Sequence, residues 1–183
     1  MADLSLRTRQ RLPDALRVLL DEFPRTGWQT HANFGEMVQF WLQRHLMFRE
    51  VLERLQSETR ARIDGELAPD IYASHLSRLG GFFLQELHMH HQIEDSHYFP
   101  RLIGLDPRID RGFELLEADH GALDGLLHSF ADGANAVLGA RNPHDATGAL
   151  LGQLDGFAAL MDRHLTDEEE IIVPVILKSG FEG

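Results

Sequence analysis

Apolar residues recur at three- and four-residue intervals along almost the whole chain. Phe34, Val38, Trp41, Leu42, His45, Phe48, Leu52 and Leu55 form one series, and Leu76, Leu79, Phe83, Leu87, His90, Glu94 and His97 a second. Phe113, Leu116, His120, Leu123, Leu127 and Phe130 form a third, and Leu150, Leu154, Phe157, Met161, His164, Glu168, Ile171 and Val175 a fourth. Each series is a stripe along one face of an amphipathic helix. The pattern predicts long helices over about 30–62, 69–99, 109–139 and 143–177, and a short one over about 13–23 carrying Leu16, Leu19 and Leu20.

Proline marks the ends. Pro69, Pro107 and Pro143 suit first helical turns, Pro100 is expected to close the second helix, and Pro174 to kink or end the fourth. Nothing alternates with the period of a strand. The expected fold is therefore all-α: an antiparallel up-down four-helix bundle over 30–177, an N-terminal extension with a short helix over 1–29, and a tail over 178–183. Gly121, Gly125, Gly148, Gly152 and Gly156 interrupt helical stretches at about 1 kcal/mol each against alanine, as close helix approach, a dimer contact or mere tolerance would explain.

Composition narrows the chemistry. The absence of cysteine excludes disulfides, thiolate metal sites and thiol nucleophiles. A net charge of −12 argues against nucleic acid, whose phosphates need a basic face. No apolar run reaches the roughly 20 residues of a membrane span, and the N-terminus lacks the apolar core of a secretory leader, so a cytoplasmic protein, monomeric or homodimeric, is expected.

Eleven histidines stand out, and four of them lie on the apolar stripes: His45, His90, His120 and His164. The stretch HMHHQIEDSHYFP (88–100) and the stretch RHLTDEEEIIVP (163–174) share one skeleton, His-x-x-x-Glu and then a proline: His90 with Glu94, and His164 with Glu168. Residues four apart stack on one helix face. His45 precedes His90 by 45 residues and His120 precedes His164 by 44, so the order His, then His-x-x-x-Glu, is written twice. Singly, each histidine is as readily a core imidazole with a backbone partner. Jointly, two buried carboxylates at one level cost several kcal/mol unless a cation sits between them. A pair of ions bound by carboxylate and imidazole suits iron or manganese, with a single zinc as the competitor.

These motifs resemble those of the hemerythrin-like, or HHE, cation-binding family. HHQIEDSHYFP and RHLTDEEEIIVP are similar to its two His-x-x-x-Glu helices, and WLQRH and LEADH to its single-histidine helices, over about 30–177. The resemblance implies a four-helix bundle holding two non-haem iron ions joined by an oxo or hydroxo bridge. His45, His90, His120 and His164 would be terminal ligands, and Glu94 and Glu168 bridging ones, with Glu169 a rival to Glu168. Oxygen carriers of the family have a further histidine where this chain has Asp124. Asp124 is left to ligate, to orient His120 or to face solvent. The implied small ligand is oxygen, nitric oxide or peroxide. With four imidazoles the irons would be under-saturated, which tilts the reading from carriage toward sensing or redox chemistry. The alternatives are a di-iron enzyme (peroxide-consuming, oxidase-type, or an iron-centre repair factor, the last disfavoured by the absence of cysteine) and a structural bundle. Of the remaining histidines, His97 is placed near Glu94, whereas His75, His88, His91, His128 and His144 are expected at the surface.

Overall fold

Every regular element among residues 4–182, the part of the chain described in this computed structural model, is helical. The N-terminal segment carries a 3-10 turn at Asp14–Leu16, α1 at Val18–Glu22 and a second 3-10 turn at Arg25–Thr30. Then come α2 (Glu36–Ile63), α3 (Pro69–Ile93), a π-helical turn (Glu94–Tyr98), α4 (Phe99–Leu102), a 3-10 turn (Pro107–Ile109), α5 (Asp110–Gly139) and α6 (His144–Ser179). The four long helices fall where the apolar stripes place them. The expected helix over 13–23 is broken instead, because Arg17 leaves helical geometry at φ −97°, ψ 1°.

Pro100 departs from the sequence expectation, and of the two outcomes open to Pro174 its helix does not end there. Pro100 does not close its helix; the chain passes through the π turn and one further turn to Leu102. Pro100 has no N–H, and its ring crowds the carbonyl four residues back, so a wider turn relieves both conflicts. The turn also resets the helical phase, so that the next buried residue after Glu94 is Phe99, five positions on. Pro174 lies inside α6, which continues to Ser179. The residues around it, Ile171 to Val173 and Val175 to Leu177, are all buried, and that burial outweighs one lost backbone bond.

The chain divides into two units. The first contains Met1–Leu46, His91–Gly121 and Asp162–Gly183. In its core the N-terminal Leu12, Leu16, Leu19 and Trp28 join Trp41 of α2, Phe99, Phe113 and Leu116, and Ile171 to Leu177 of α6. A Cβ at Gly112 would meet the tip of Ile171, Cδ1, at 2.9 Å, so α5 and α6 are close there.

The second unit contains Met47–His90 and Ala122–Met161. Phe83 is its centre, edge-on to Phe48 at 6.2 Å, Phe130 at 6.2 Å and Phe157 at 5.6 Å. Thr59 bonds Tyr72 at 3.0 Å and Glu58 bonds His75 at 2.9 Å, while Phe48 meets Phe83, so α2 and α3 run in opposite directions through this unit. Gln56 donates to Asp155 of α6 at 2.7 Å. At the five glycines for which close helix approach, a dimer contact or tolerance stood open, Gly121, Gly125, Gly148, Gly152 and Gly156, an added Cβ would meet nothing beyond its own helix within 4 Å. Close helix approach does not explain them.

Candidate metal centre

The buried stripes bring their polar residues into the first unit. His45 comes from α2, His91 from the end of α3, Glu94 from the π turn, His120 from α5, and His164 and Glu168 from α6; each is at most 3% exposed. His90, directly before His91 in α3, is half-buried.

Three of the imidazoles are set in the same way. His45 Nδ1 lies 3.1 Å from Glu169, and its Nε2 lies 3.5 Å from Glu168 Oε2. His164 Nδ1 lies 3.5 Å from Asp119, and its Nε2 lies 3.4 Å from the same Glu168 oxygen. His120 Nδ1 bonds Asp95 at 2.8 Å, and its Nε2 lies 3.6 Å from Glu94 Oε2. For His45 and His120 the acid bonded to Nδ1 turns Nε2 toward the glutamates, the arrangement that metal-binding histidines adopt, and Asp119 stands in the same place beside His164 without a close bond. Trp41 donates to Glu168 Oε1 at 2.8 Å, which turns Oε2 toward the two imidazoles.

Two groups of ligand atoms result. Those of His91, His120 and His164 lie within 4.8 Å of one another, as do those of His45, His90, Glu94 and Glu168. His120 Nε2 and Glu168 Oε2 are buried with no hydrogen-bond partner, an arrangement costly enough to need a cation or a proton between the groups. The protonation pattern shows the same need. Burial and the neighbouring Glu168 charge push the Glu94 carboxyl well above the usual carboxylate range. Burial acts on Glu168 too, but His45 and His164 outweigh it and hold that carboxyl well below the range. Burial alone would lower the His164 imidazole; its contacts with Asp119 and Glu168 reverse this and bring it up to about 9. The raised Glu94 carboxyl and His164 imidazole both favour the protonated form, which a bound cation would replace.

All six residues singled out in the sequence, His45, His90, Glu94, His120, His164 and Glu168, fall within these two groups. His91 does too, contrary to the expectation that it faces solvent. It is 3% exposed and stacks on His120 with ring centroids 4.0 Å apart. Its spacing was a readable signal: it follows Leu87 by four residues and precedes Glu94 by three, as good a fit to the stripe as His90. His97 is exposed beside Arg101, because the π turn rotates it off the face of Glu94. Asp124 is half-exposed in the second unit, 3.9 Å from His88. Glu169 is buried, but it bonds His45 Nδ1 and Arg25. Asp95, Asp119 and Arg9 went unread in the sequence and Trp41 was read only as an apolar stripe residue, since only tertiary contact gives them these roles. His91→Ala is expected to lose bound metal as fully as His90→Ala, and His88→Ala to lose none; metal analysis of the three purified variants checks this.

The class is that of an all-helical protein with a buried histidine–carboxylate cluster able to hold metal. Residues 36–176 match the hemerythrin HHE cation-binding domain, and the chain belongs to that family. No curated protein and no solved structure matches it. No helix among the described residues is long and apolar enough to cross a membrane.

Proposed function

We propose that the chain is a non-haem di-iron protein, built as an up-down four-helix bundle over about 30–177, that binds or senses oxygen, nitric oxide or peroxide. The observation that carries this reading is Glu168 Oε2, approached at 3.5 Å by His45 and at 3.4 Å by His164, one histidine from each ligand group. A single carboxylate oxygen shared in this way suits a bridging position between two ions. The helix order, the opposed run of α2 and α3 in the second unit and the family match support the bundle.

In this reading His91, His120 and His164 would hold one ion and His45 and His90 the other, with Glu94 and Glu168 as the carboxylates available to both. The fifth imidazole, expected to be missing at Asp124, would be supplied by His91. The two positions are then unequal: three imidazoles and two carboxylates against two imidazoles and two carboxylates. An ion on the side toward His45 and His90 would have one protein ligand fewer and could accept a small ligand, which shifts the balance back toward reversible binding. When bound, the pair supplies redox-active Lewis acids that accept small oxygen or nitrogen ligands. The protein's part is to orient and to shield. Trp41 fixes Glu168, Phe99 stacks against His120 at 5.5 Å, and Phe48 lies 5.2 Å from His90, so apolar rings exclude water beside the imidazoles.

Protein loaded with ferrous iron without oxygen is expected to hold about two irons per chain and to give a reversible optical band with oxygen or nitric oxide. One ion per chain, or none, would defeat the di-iron reading. Sustained turnover of peroxide would move it to an enzyme.

A further inference from the structure

Two arginines from the segment before the matched domain reach the centre. Arg9 is buried, with its side chain 2% exposed, and binds Asp119 and Asp167, the latter at 2.8 Å; Arg163 of α6 binds Asp167 from the other side. Arg9 also donates to the carbonyl of Leu4 at 2.6 Å, which ties the start of the segment down. Arg25, which lies over the Trp28 ring at 4.8 Å, donates to Glu169 at 2.8 Å and to the carbonyl of Thr166 at 3.2 Å. Asp119 and Glu169 are the acids that face Nδ1 of His164 and His45. The segment therefore ends twice on the same motif: an arginine, an acid, then the outer nitrogen of a histidine whose inner nitrogen faces Glu168.

We propose that the N-terminal segment belongs to the metal centre, with Arg9 and Arg25 as positioning residues that set the charge felt by His164 and His45 through Asp119 and Glu169. This rests on the metal-binding reading above. The physical reason is burial. Asp119 and Glu169 are too deep for water to screen, so the arginines temper the charge each acid presents to its imidazole, the buried Arg9 more than Arg25, which is 40% exposed. An acid relieved of its arginine pulls that proton harder and makes the imidazole a more electron-rich ligand. The third pair, His120 with Asp95, is different: the Asp95 side chain is 41% exposed, so solvent moderates its charge. A segment that only covered apolar surface would need Leu12, Leu16 and Leu19, not two cations aimed at these acids.

The test is the midpoint potential of the iron-loaded full chain in Arg9→Gln, Arg25→Gln, Arg9→Lys and Arg25→Lys, with iron content measured first. Removing either cation favours the ferric state, so both glutamine variants are expected to lower the potential. The expected size for Arg9→Gln is about a tenfold change in the ferrous-to-ferric ratio, which is about 59 mV for one electron, with a smaller shift of the same sign for Arg25→Gln. The lysine variants are expected to restore most of it. A merely structural role would lower the melting temperature and leave the potential in place. Arg25 is 40% exposed, so its variants are expected to fold even if Arg9→Gln does not. An iron-loaded Arg25→Gln protein with the parent potential overturns the proposal, as does a lysine variant that falls as far as its glutamine counterpart. A parent protein that holds no iron would instead remove the metal reading itself.

Discussion

Glu168→Gln is expected to empty the metal centre while leaving the protein folded, with bound iron falling from about two per chain to less than one. Glu168 Oε2 is the atom approached by both His45 and His164, so loss of its charge weakens both positions at once. The amide keeps the side-chain volume and an oxygen for the Trp41 N–H, now bonded at 2.8 Å. Metal-free Glu168→Gln should therefore keep its packing and the Trp41 bond, and lose relative to the metal-free parent only the charge contacts with His45 and His164. Glu168→Ala should lose metal equally, but it also leaves the buried indole N–H without an acceptor, at roughly 1–3 kcal/mol, and opens a cavity. Its metal-free form should melt below that of Glu168→Gln. Metal analysis and melting of the two variants separate loss of a ligand from loss of packing. A Glu168→Gln protein that still binds two ions would remove the bridging role.

The helices were legible because they are long and one-sided; three- and four-residue spacing needs no tertiary information. What the spacing missed were local conflicts settled by surroundings. Pro100 and Pro174 carry the same chemistry, yet one is accommodated by a π turn and the other by a helix buried on every side. The same limit shaped the reading of the centre. His-x-x-x-Glu exposed Glu94 and Glu168, but in HMHH both His90 and His91 fit the stripe, and choosing one concealed the other. Asp119 precedes His120 in sequence yet serves His164, 45 residues further on. Arg9 reaches Asp167 across 158 residues. No periodicity within one helix reports such pairs, because the chain pairs them only by folding.

Stripping the metal is expected to lower the melting temperature at neutral pH by at least about 5 °C. Ions bound at a hundred times their dissociation constant stabilise the folded state by about 2.7 kcal/mol per site, and in a protein of this size each kcal/mol moves the melting point by roughly 2–4 °C. The loss should itself depend on pH. In the metal-free protein the Glu94 pKa is raised by burial and by the Glu168 charge. Its contribution is complete below the unfolded carboxylate value of about 4.5 and is lost as pH rises through the raised folded value. His164 is held up at about 9, despite burial, by Asp119 and Glu168. Its contribution is complete below about 6.5 and is lost as pH climbs through about 9. Glu168 acts in the other direction, because its lowered pKa gives stability that disappears only in stronger acid. The metal-free protein should therefore be most stable in mild acid and should weaken steadily from about pH 6.5 to 9. Metal displaces the protons from Glu94 and His164, so the loaded protein should not show that decline, and the gap between the two melting curves should widen as pH rises. Melting both forms across this range checks the sign as well as the size. A gap that narrows toward pH 9 would mean that Glu94 and His164 do not surrender their protons to the metal, and that the ions sit elsewhere.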